Sequence, residues 1–257
     1  MKVIPVPCHF DNYAYVLVCE QTGEAAVIDP AEYYPVRKVL ENLEVTPTAV
    51  FCTHHHADHI GGLEEFCVEN QAIKVYGYGG REPRIKEVNH TVGDNNEVVV
   101  GNCRGRVFYT PGHTSDSVCL HIGNTLFTGD TLFGAGCGRL FEGSPSQMYS
   151  SLVRLTENVP ADTEIYFGHE YTLQNLRFAQ FVEPENEQVA RRAELTRARR
   201  DDNQPTCPAT LAVEFATNPF LRCRLVDAVE QVAKNLFLEN RDPVAVFTAL
   251  RKLKDSF

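Results

Sequence analysis

The sequence has no long apolar run, no paired-cysteine motif and a shortage of cations relative to anions, and each of these excludes something. Without a sufficiently long apolar segment, no stretch reads as a membrane-spanning helix. The opening Met1-Lys2-Val3-Ile4-Pro5-Val6-Pro7-Cys8 meets two prolines before any sustained apolar run, so it does not read as a signal peptide. The nine cysteines are scattered and odd in number, with no C-x-x-C pair. They read as reduced, mostly structural thiols in a reducing compartment, which we expect to be the cytoplasm, with an organellar form left open. Against 34 Asp and Glu stand only 24 Lys and Arg, a net charge of -10 that repels nucleic acid and anionic membrane alike. An anionic ligand therefore requires a local basic cluster.

What remains is an ordinary globular composition, 43% hydrophobic and 23% charged over 257 residues, enough to bury a full core. The first two thirds alternate short β-rich runs with loops and a few helical patterns, an α/β arrangement. The runs at 13–19, 25–29, 49–53, 74–76, 97–100, 106–109, 118–122, 125–128 and 164–167 are the expected strands. Apolar residues three and four apart, Val36, Leu40 and Leu43, then Met148, Leu152 and Leu155, predict helices over 34–43 and 146–159. Beyond about Leu173 charged helical patterns take over, at 185–200, 210–215, 221–238 and 243–254. The last begins with Asp242-Pro243, an N-cap followed by proline at the first helical position, and is expected to bury Val246, Leu250, Leu253 and Phe257.

The densest chemistry follows the run at 49–53. His54-His55-His56-Ala57-Asp58-His59 puts four imidazoles and a carboxylate within six residues, donors that borderline divalent ions accept. A chain leaving a strand can aim His54 and His56 at one ion. A helix starting near Gly61 would turn Asp58 and His59 toward a second. A solvated histidine-rich loop is the bland alternative. A zinc-protease helix built on His55 and His59 is excluded, because the general-base position after the first histidine holds His56. Three later segments repeat one pattern of glycine beside a ligand-type residue on a strand's exit loop: Gly112-His113, Gly129-Asp130 and Gly168-His169. Asp130 suits a bridging role, since a carboxylate offers two oxygens and a neutral imidazole one nitrogen.

In this order the motifs resemble those of the metallo-β-lactamase superfamily, H-x-H-x-D-H, a glycine-histidine loop, an aspartate and a last histidine. The resemblance implies that fold, an αβ/βα sandwich, over 1–172. It implies His54, His56 and His113 on one metal, Asp58, His59 and His169 on the other, and Asp130 across both. Asp29, in Val27-Ile28-Asp29-Pro30, resembles the family's early strand-end aspartate that supports the site; on its residues alone it is equally an Asp-Pro turn. The donor set contains no thiolate, so it accepts zinc, iron or manganese, and of these zinc is the expected metal.

Further motifs resemble the glyoxalase II (hydroxyacylglutathione hydrolase) family: Thr131-Leu132-Phe133, Ala135-Gly136-Cys137-Gly138-Arg139, Phe141-Glu142-Gly143, His169-Glu170-Tyr171-Thr172, Asn218-Pro219-Phe220 and Arg251-Lys252-Leu253-Lys254-Asp255. That family implies a smaller helical C-terminal domain, here 173–257, that binds glutathione. It also implies hydrolysis of S-D-lactoylglutathione to D-lactate by a metal-bridging hydroxide, with Asp58 orienting the nucleophile beside Asp130. The matching substrate positions are Arg139, Phe141, Tyr171, Arg251 and Lys254, and a monomer is expected. Phe141 departs from the tyrosine usual there, removing one hydroxyl. A neutral hydrogen bond is worth roughly 0.5–1.5 kcal/mol, so affinity is expected to fall severalfold while the chemistry survives. Iron persulfide dioxygenases, which have a similar fold and also take a glutathione derivative, are expected to use fewer ligands and to lack the helical appendage. A binding module without activity would have lost ligands, and none is lost here.

Overall fold

The computed structural model describes residues 1–81 and 83–257 and divides them into two compact units. The first comprises Met1–Thr110, Asp116–Asp130 and Tyr166–His169. It opens with β1 (Lys2–Cys8), β2 (Asn12–Val18), β3 (Ala25–Ile28), α1 (Tyr33–Asn42) and β4 (Pro47–Phe51). Next come α2 (Ala57–Ile60), α3 (Leu63–Glu69), β5 (Lys74–Tyr78) and β6 (His90–Val92). Then follow β7 (Glu97–Val100), β8 (Cys103–Tyr109), β9 (Val118–Ile122) and β10 (Thr125–Gly129).

One sheet runs β1-β2-β3-β4-β5-β6, antiparallel as far as β3 and parallel beyond it. In the other, β7, β8, β9 and β10 form antiparallel neighbours. The strand β3 is buried on both faces and reads as a continuous Ala, Val and Ile run, and its parallel neighbour β4 is buried except at Thr48. Their core includes Val16, Val27, Val36, Leu40, Val50 and Phe66. Each such side chain contributes roughly 1.5–3 kcal/mol by leaving water. Between the sheets, Tyr15 packs against Phe127 and Tyr166, with ring centroids 5.5 and 5.3 Å away.

The sequence predicts a helix starting near Gly61, but the structure has α2 ending at Ile60 and α3 beginning at Leu63. Backbone crowding is the reason. A Cβ on Gly62 would lie 2.4 Å from the Tyr33 nitrogen, so the chain passes α1 as bare backbone. Asp58 and His59 consequently ride on the short α2, one turn earlier than expected.

The second unit comprises Pro111–Ser115, Thr131–Ile165 and Glu170–Phe257. It holds the hairpin β11 (Leu132–Phe133) and β12 (Gly136–Cys137), α4 (Pro145–Glu157) and the first half of β13 (Glu164–Phe167). Next are α5 (Thr172–Val182), α6 (Glu187–Asp201), β14 (Ala209–Thr210) and α7 (Leu211–Thr217). The chain ends with α8 (Pro219–Arg222), α9 (Val226–Asn235) and α10 (Pro243–Ser256). Ser144 and Gln147 close a capping box on α4, with Pro145 at its first position.

Two helical expectations are corrected. The single helix over 221–238 is two, because Asn218 caps α8 and the chain turns before Val226. On α10 the cap is as expected, Asp242 accepting from the Val244 and Ala245 amides. Its buried stripe, however, is Val246, Phe247, Leu250 and Arg251. Leu253 is half-buried and Phe257 is exposed. The reason is that the guanidinium of Arg251 has partners inside, described below.

Candidate metal centre

Every sequence-expected ligand stands just past the C-terminal end of a strand or on the helix that follows. His54, His56, Asp58 and His59 follow β4, Asp130 follows β10, and His169 follows β13. Two glycines make the approach possible. A Cβ on Gly129, which has φ +45, would meet Thr53 Oγ1 at 2.3 Å, and one on Gly168 would meet Asp130 Oδ1 at 2.4 Å. The glycine-plus-ligand pattern in the sequence thus has a steric cause.

Within the first unit two donor groups converge. His54, His59 and Asp130 offer atoms within 4.8 Å of one another, and so do Asp58, His59 and His169. His59 Nε2 lies 3.3 Å from Asp130 Oδ1 and 3.3 Å from His169 Nε2, and His169 Nε2 lies 3.3 Å from Asp130 Oδ2. His54 Nε2 lies 3.1 Å from His56 Nδ1. The opposite ring nitrogens are committed: His59 Nδ1 faces Asp29 Oδ2 at 3.0 Å, and His169 Nδ1 faces Asp11 Oδ1 at 2.9 Å. With a proton on each Nδ1, both Nε2 lone pairs and the carboxylate oxygens point at one another. That arrangement requires positive charge between them, and a divalent cation fits the donor set.

The titration directions carry the same message. Burial pulls the His59 imidazole down, but Asp130 and Asp29 outweigh it and hold it well above its usual value. Burial likewise pushes Asp130 up, and His59 with His169 outweigh it and hold it well below the carboxylate range. Without a metal, protons serve as the cations of the cluster. Metal uptake must displace them.

Asp29 sits at φ 46, and both its oxygens are used. Oδ1 accepts from the Thr53 amide at 2.7 Å, and Oδ2 from the Thr53 hydroxyl at 2.7 Å as well as facing His59. The structure therefore favours the supporting role over a plain Asp-Pro turn. Asp29→Asn puts a donor where an acceptor is needed, and should weaken metal binding by about 10–100-fold, read by competition with a chromophoric chelator. Unchanged affinity would reject the role.

Sequence reasoning missed three supporting residues. Asn12 donates from Nδ2 to the Asp58 carbonyl at 2.9 Å and to Asp58 Oδ2 at 3.0 Å. Asp11 orients His169, and Asp116 holds His55 Nδ1 at 2.8 Å. His55 thereby faces away from the two donor groups, and no spacing rule links these positions to the ligands they serve.

The second unit carries the remaining expected residues. His113 stands on the loop after β8, with Nδ1 2.9 Å from the Arg139 carbonyl oxygen and its ring 5.2 Å from that of Phe141, which is 64% exposed. Arg251 is buried. It donates from Nη1 to the Cys137 carbonyl at 2.8 Å, pairs with Asp255 at 2.9 Å and lies 5.1 Å over the Phe220 ring. Arg139 reaches the same Asp255 at 3.7 Å. Burial and the nearby guanidinium groups of Arg251 and Arg139 push Lys254 down to about 8. Three cations thus gather around one carboxylate, a local basic cluster in an acidic chain. Tyr171, at the head of α5, packs edge-on to Phe133.

The motif residues between them have structural work. Asn218 Nδ2 donates to the carbonyls of Phe133 at 3.3 Å and Gly136 at 3.0 Å, and Glu214 accepts from the Ala135 amide at 2.8 Å. They fix the β11–β12 hairpin that leads to Arg139. Cys137 is not a nucleophile, since burial raises its thiol to about 11. Burial likewise raises Cys52 well above its usual value.

Comparison with known proteins adds sequence and fold relationships. Residues 10–169 match the metallo-beta-lactamase superfamily, and 170–257 match the hydroxyacylglutathione hydrolase C-terminus. The chain is 40% identical over 261 residues to the hydroxyacylglutathione hydrolase of Methylobacillus flagellatus, covering 100% of this chain and 99% of that one. It is 42% identical over 258 residues to that of Jannaschia sp., covering 100% and 98%. Among solved structures, ETHE1 from Myxococcus xanthus superposes with TM-score 0.67 at 26% identity, covering 100% of this chain and 99% of that one. TTHA1623 in a di-iron-bound form superposes with TM-score 0.60 at 22% identity, covering 85% and 100%.

Proposed function

The chain belongs to the hydroxyacylglutathione hydrolase family of the metallo-beta-lactamase superfamily, and from that premise we propose that it hydrolyses S-D-lactoylglutathione and related 2-hydroxyacyl-glutathione thioesters to glutathione and a 2-hydroxy acid. The observation that carries this reading is the convergence of the buried His54, His59, Asp130 and His169 with the half-exposed Asp58, a donor set suited to two ions sharing a carboxylate. His54, His56 and His113 would hold one ion, Asp58, His59 and His169 the other, and Asp130 both. Zinc suits these donors, and iron or manganese would also be accepted. When bound, such ions lower the pKa of water from ~15.7 toward neutrality and polarise a carbonyl.

The chain's own residues do the rest. Asp58 is the one carboxylate of the cluster that is substantially exposed, at 46%, and Asn12 fixes its Oδ2. In this reading it would orient the attacking water and accept its proton. Attack at the carbonyl carbon breaks the C–S bond and releases glutathione as thiolate. With a thiol pKa of about 8.5, this leaving group needs no general acid. Arg139, Arg251 and Lys254 would meet the carboxylates of the tripeptide, and Tyr171 would offer a hydroxyl. Phe141 offers only an apolar edge. On this reading residues 1–172 carry the metal chemistry together with Arg139 and Tyr171, and 173–257 supplies Arg251 and Lys254 for recognition.

The test is loss of the thioester absorbance of S-D-lactoylglutathione with metal-loaded protein, abolished by chelator and restored by added zinc. Oxygen consumption with glutathione persulfide, without thioester hydrolysis, would replace this reading with a dioxygenase.

A further inference from the structure

Far from the metal donors, the first unit holds two thiols side by side. β2 begins at Asn12, which touches Asp58, and Cys19 follows its other end, so at about 3.3 Å per residue the thiol lies roughly 20 Å away along the strand. β8 begins at Cys103 and runs from there toward the loop that bears His113. The Asn102 amide donates to Cys19 Sγ at 3.4 Å. At Gly101, φ +56, a Cβ would lie 2.9 Å from that same sulfur, so the turn is wrapped directly onto the thiol. Cys103 comes next in the chain, and its side chain is within hydrogen-bonding reach of Cys19.

The two sulfurs differ in character. The Thr22 hydroxyl, the Asn102 amide and the Thr22 and Gln21 amides face Cys19 and lower its thiol to about 6. Burial and then the Cys19 sulfur raise Cys103. Cys19 is buried, whereas Cys103 is partly exposed. Cys67, also partly exposed, has Glu64 and Glu87 nearby and, among the described residues, no cation acting on it, which disfavours a thiolate and repels an anionic reagent, whereas at Cys103 the Met1 ammonium opposes the nearby carboxylate of Glu20.

We propose that Cys103 and Cys19 form a thiol-disulfide exchange site for small anionic disulfides, converted to an intramolecular Cys19–Cys103 disulfide. The Cys103 sulfur attacks one sulfur of the reagent, whose S–S bond breaks and whose departing thiolate takes the Cys103 proton. The Cys19 thiolate then attacks Cys103 Sγ, forming the internal bond and expelling the second thiol. The protein dithiol loses two electrons and the small disulfide gains them as two thiols. Because the pair sits at the far end of the strands, oxidation should leave thioester turnover within twofold of the reduced protein.

The experiment treats the full chain with glutathione disulfide, blocks free thiols by alkylation and maps peptides by mass spectrometry without reduction. The expected result is a Cys19–Cys103 crosslinked peptide and two fewer free thiols per chain. Cys19→Ser should trap a glutathionyl adduct on Cys103, and Cys103→Ser should give neither crosslink nor adduct at Cys19. A wild-type protein that forms no crosslink, or that is modified at Cys67 in preference, would overturn the proposal. So would a glutathionyl adduct that persists on Cys103 while Cys19 stays reduced.

Discussion

Asp130→Ala is expected to lower kcat by at least about a thousandfold and to reduce bound metal from two ions to one or none. A thousandfold is about 4 kcal/mol of transition-state stabilisation, at 1.36 kcal/mol per decade. The size of the effect follows from position. Asp130 is buried at 7% exposure, and its two oxygens face His59 and His169 separately, each at 3.3 Å. Removing it leaves three buried imidazoles, His54, His59 and His169, with Asp58 as the remaining carboxylate of the two groups. Metal content by plasma emission and kcat from thioester absorbance should fall together. Asp58→Asn, by contrast, should lower kcat while retaining more metal, because Asp58 is half exposed and belongs to one donor group only. An Asp130→Ala protein with two ions and kcat within tenfold of wild type would remove Asp130 from its bridging role.

Asp130 stands out in the sequence for the same reason that it is proposed to bind metal. It lies just past a strand end and beside a glycine, and His169, two residues past β13, and His113, four past β8, follow the same pattern. Strand ends converge in an α/β fold, so residues far apart in sequence gather there, and the glycines mark where backbone must pass close. The supporting residues have no such mark. Asp11 and Asn12 follow an exposed turn, and their role depends on the antiparallel pairing of β2 with β1 and on the Asn12–His169 bridge. Nothing local encodes that.

The fold shows the same division. Val-rich runs in buried strands read plainly, whereas β1 was missed because Pro5 and Pro7 interrupt it. It is an edge strand paired only to β2, and residues two apart direct their amide positions to the same side. Both prolines can therefore present their missing N–H groups outward at no cost to the ladder. α5 was missed for a different reason. It buries Thr172 and Asn175 along with Leu176, Phe178 and Val182, so its pattern lacks a clean apolar stripe. Asn175 donates to the Gly134 carbonyl at 3.0 Å, a partner supplied by tertiary structure alone.

The basic pair at the chain's end should separate by experiment into two different roles. Its residues stand three apart on α10, which reads as one solvated face, yet Arg251 is buried and Lys254 only half so. Arg251→Ala would strand the Cys137 carbonyl, and an unsatisfied buried group costs about 1–3 kcal/mol. That variant should melt several degrees lower, in addition to any kinetic effect. Lys254→Met keeps an apolar stem and removes the ammonium, which lies 5.4 Å from the centre of the Phe178 ring and 5.5 Å from that of Phe257. It should raise KM by roughly tenfold with kcat nearly unchanged, the signature of lost uniform binding. The pH profile supplies an independent check. Lys254 is depressed to about 8, so its charge is present below that pH and lost above it. KM in the wild type should therefore climb as pH rises through 8, while Lys254→Arg, charged throughout, should stay flat over the same range. A Lys254→Met enzyme with wild-type KM and an unchanged pH profile would dissociate this cluster from substrate recognition and leave the metal chemistry standing.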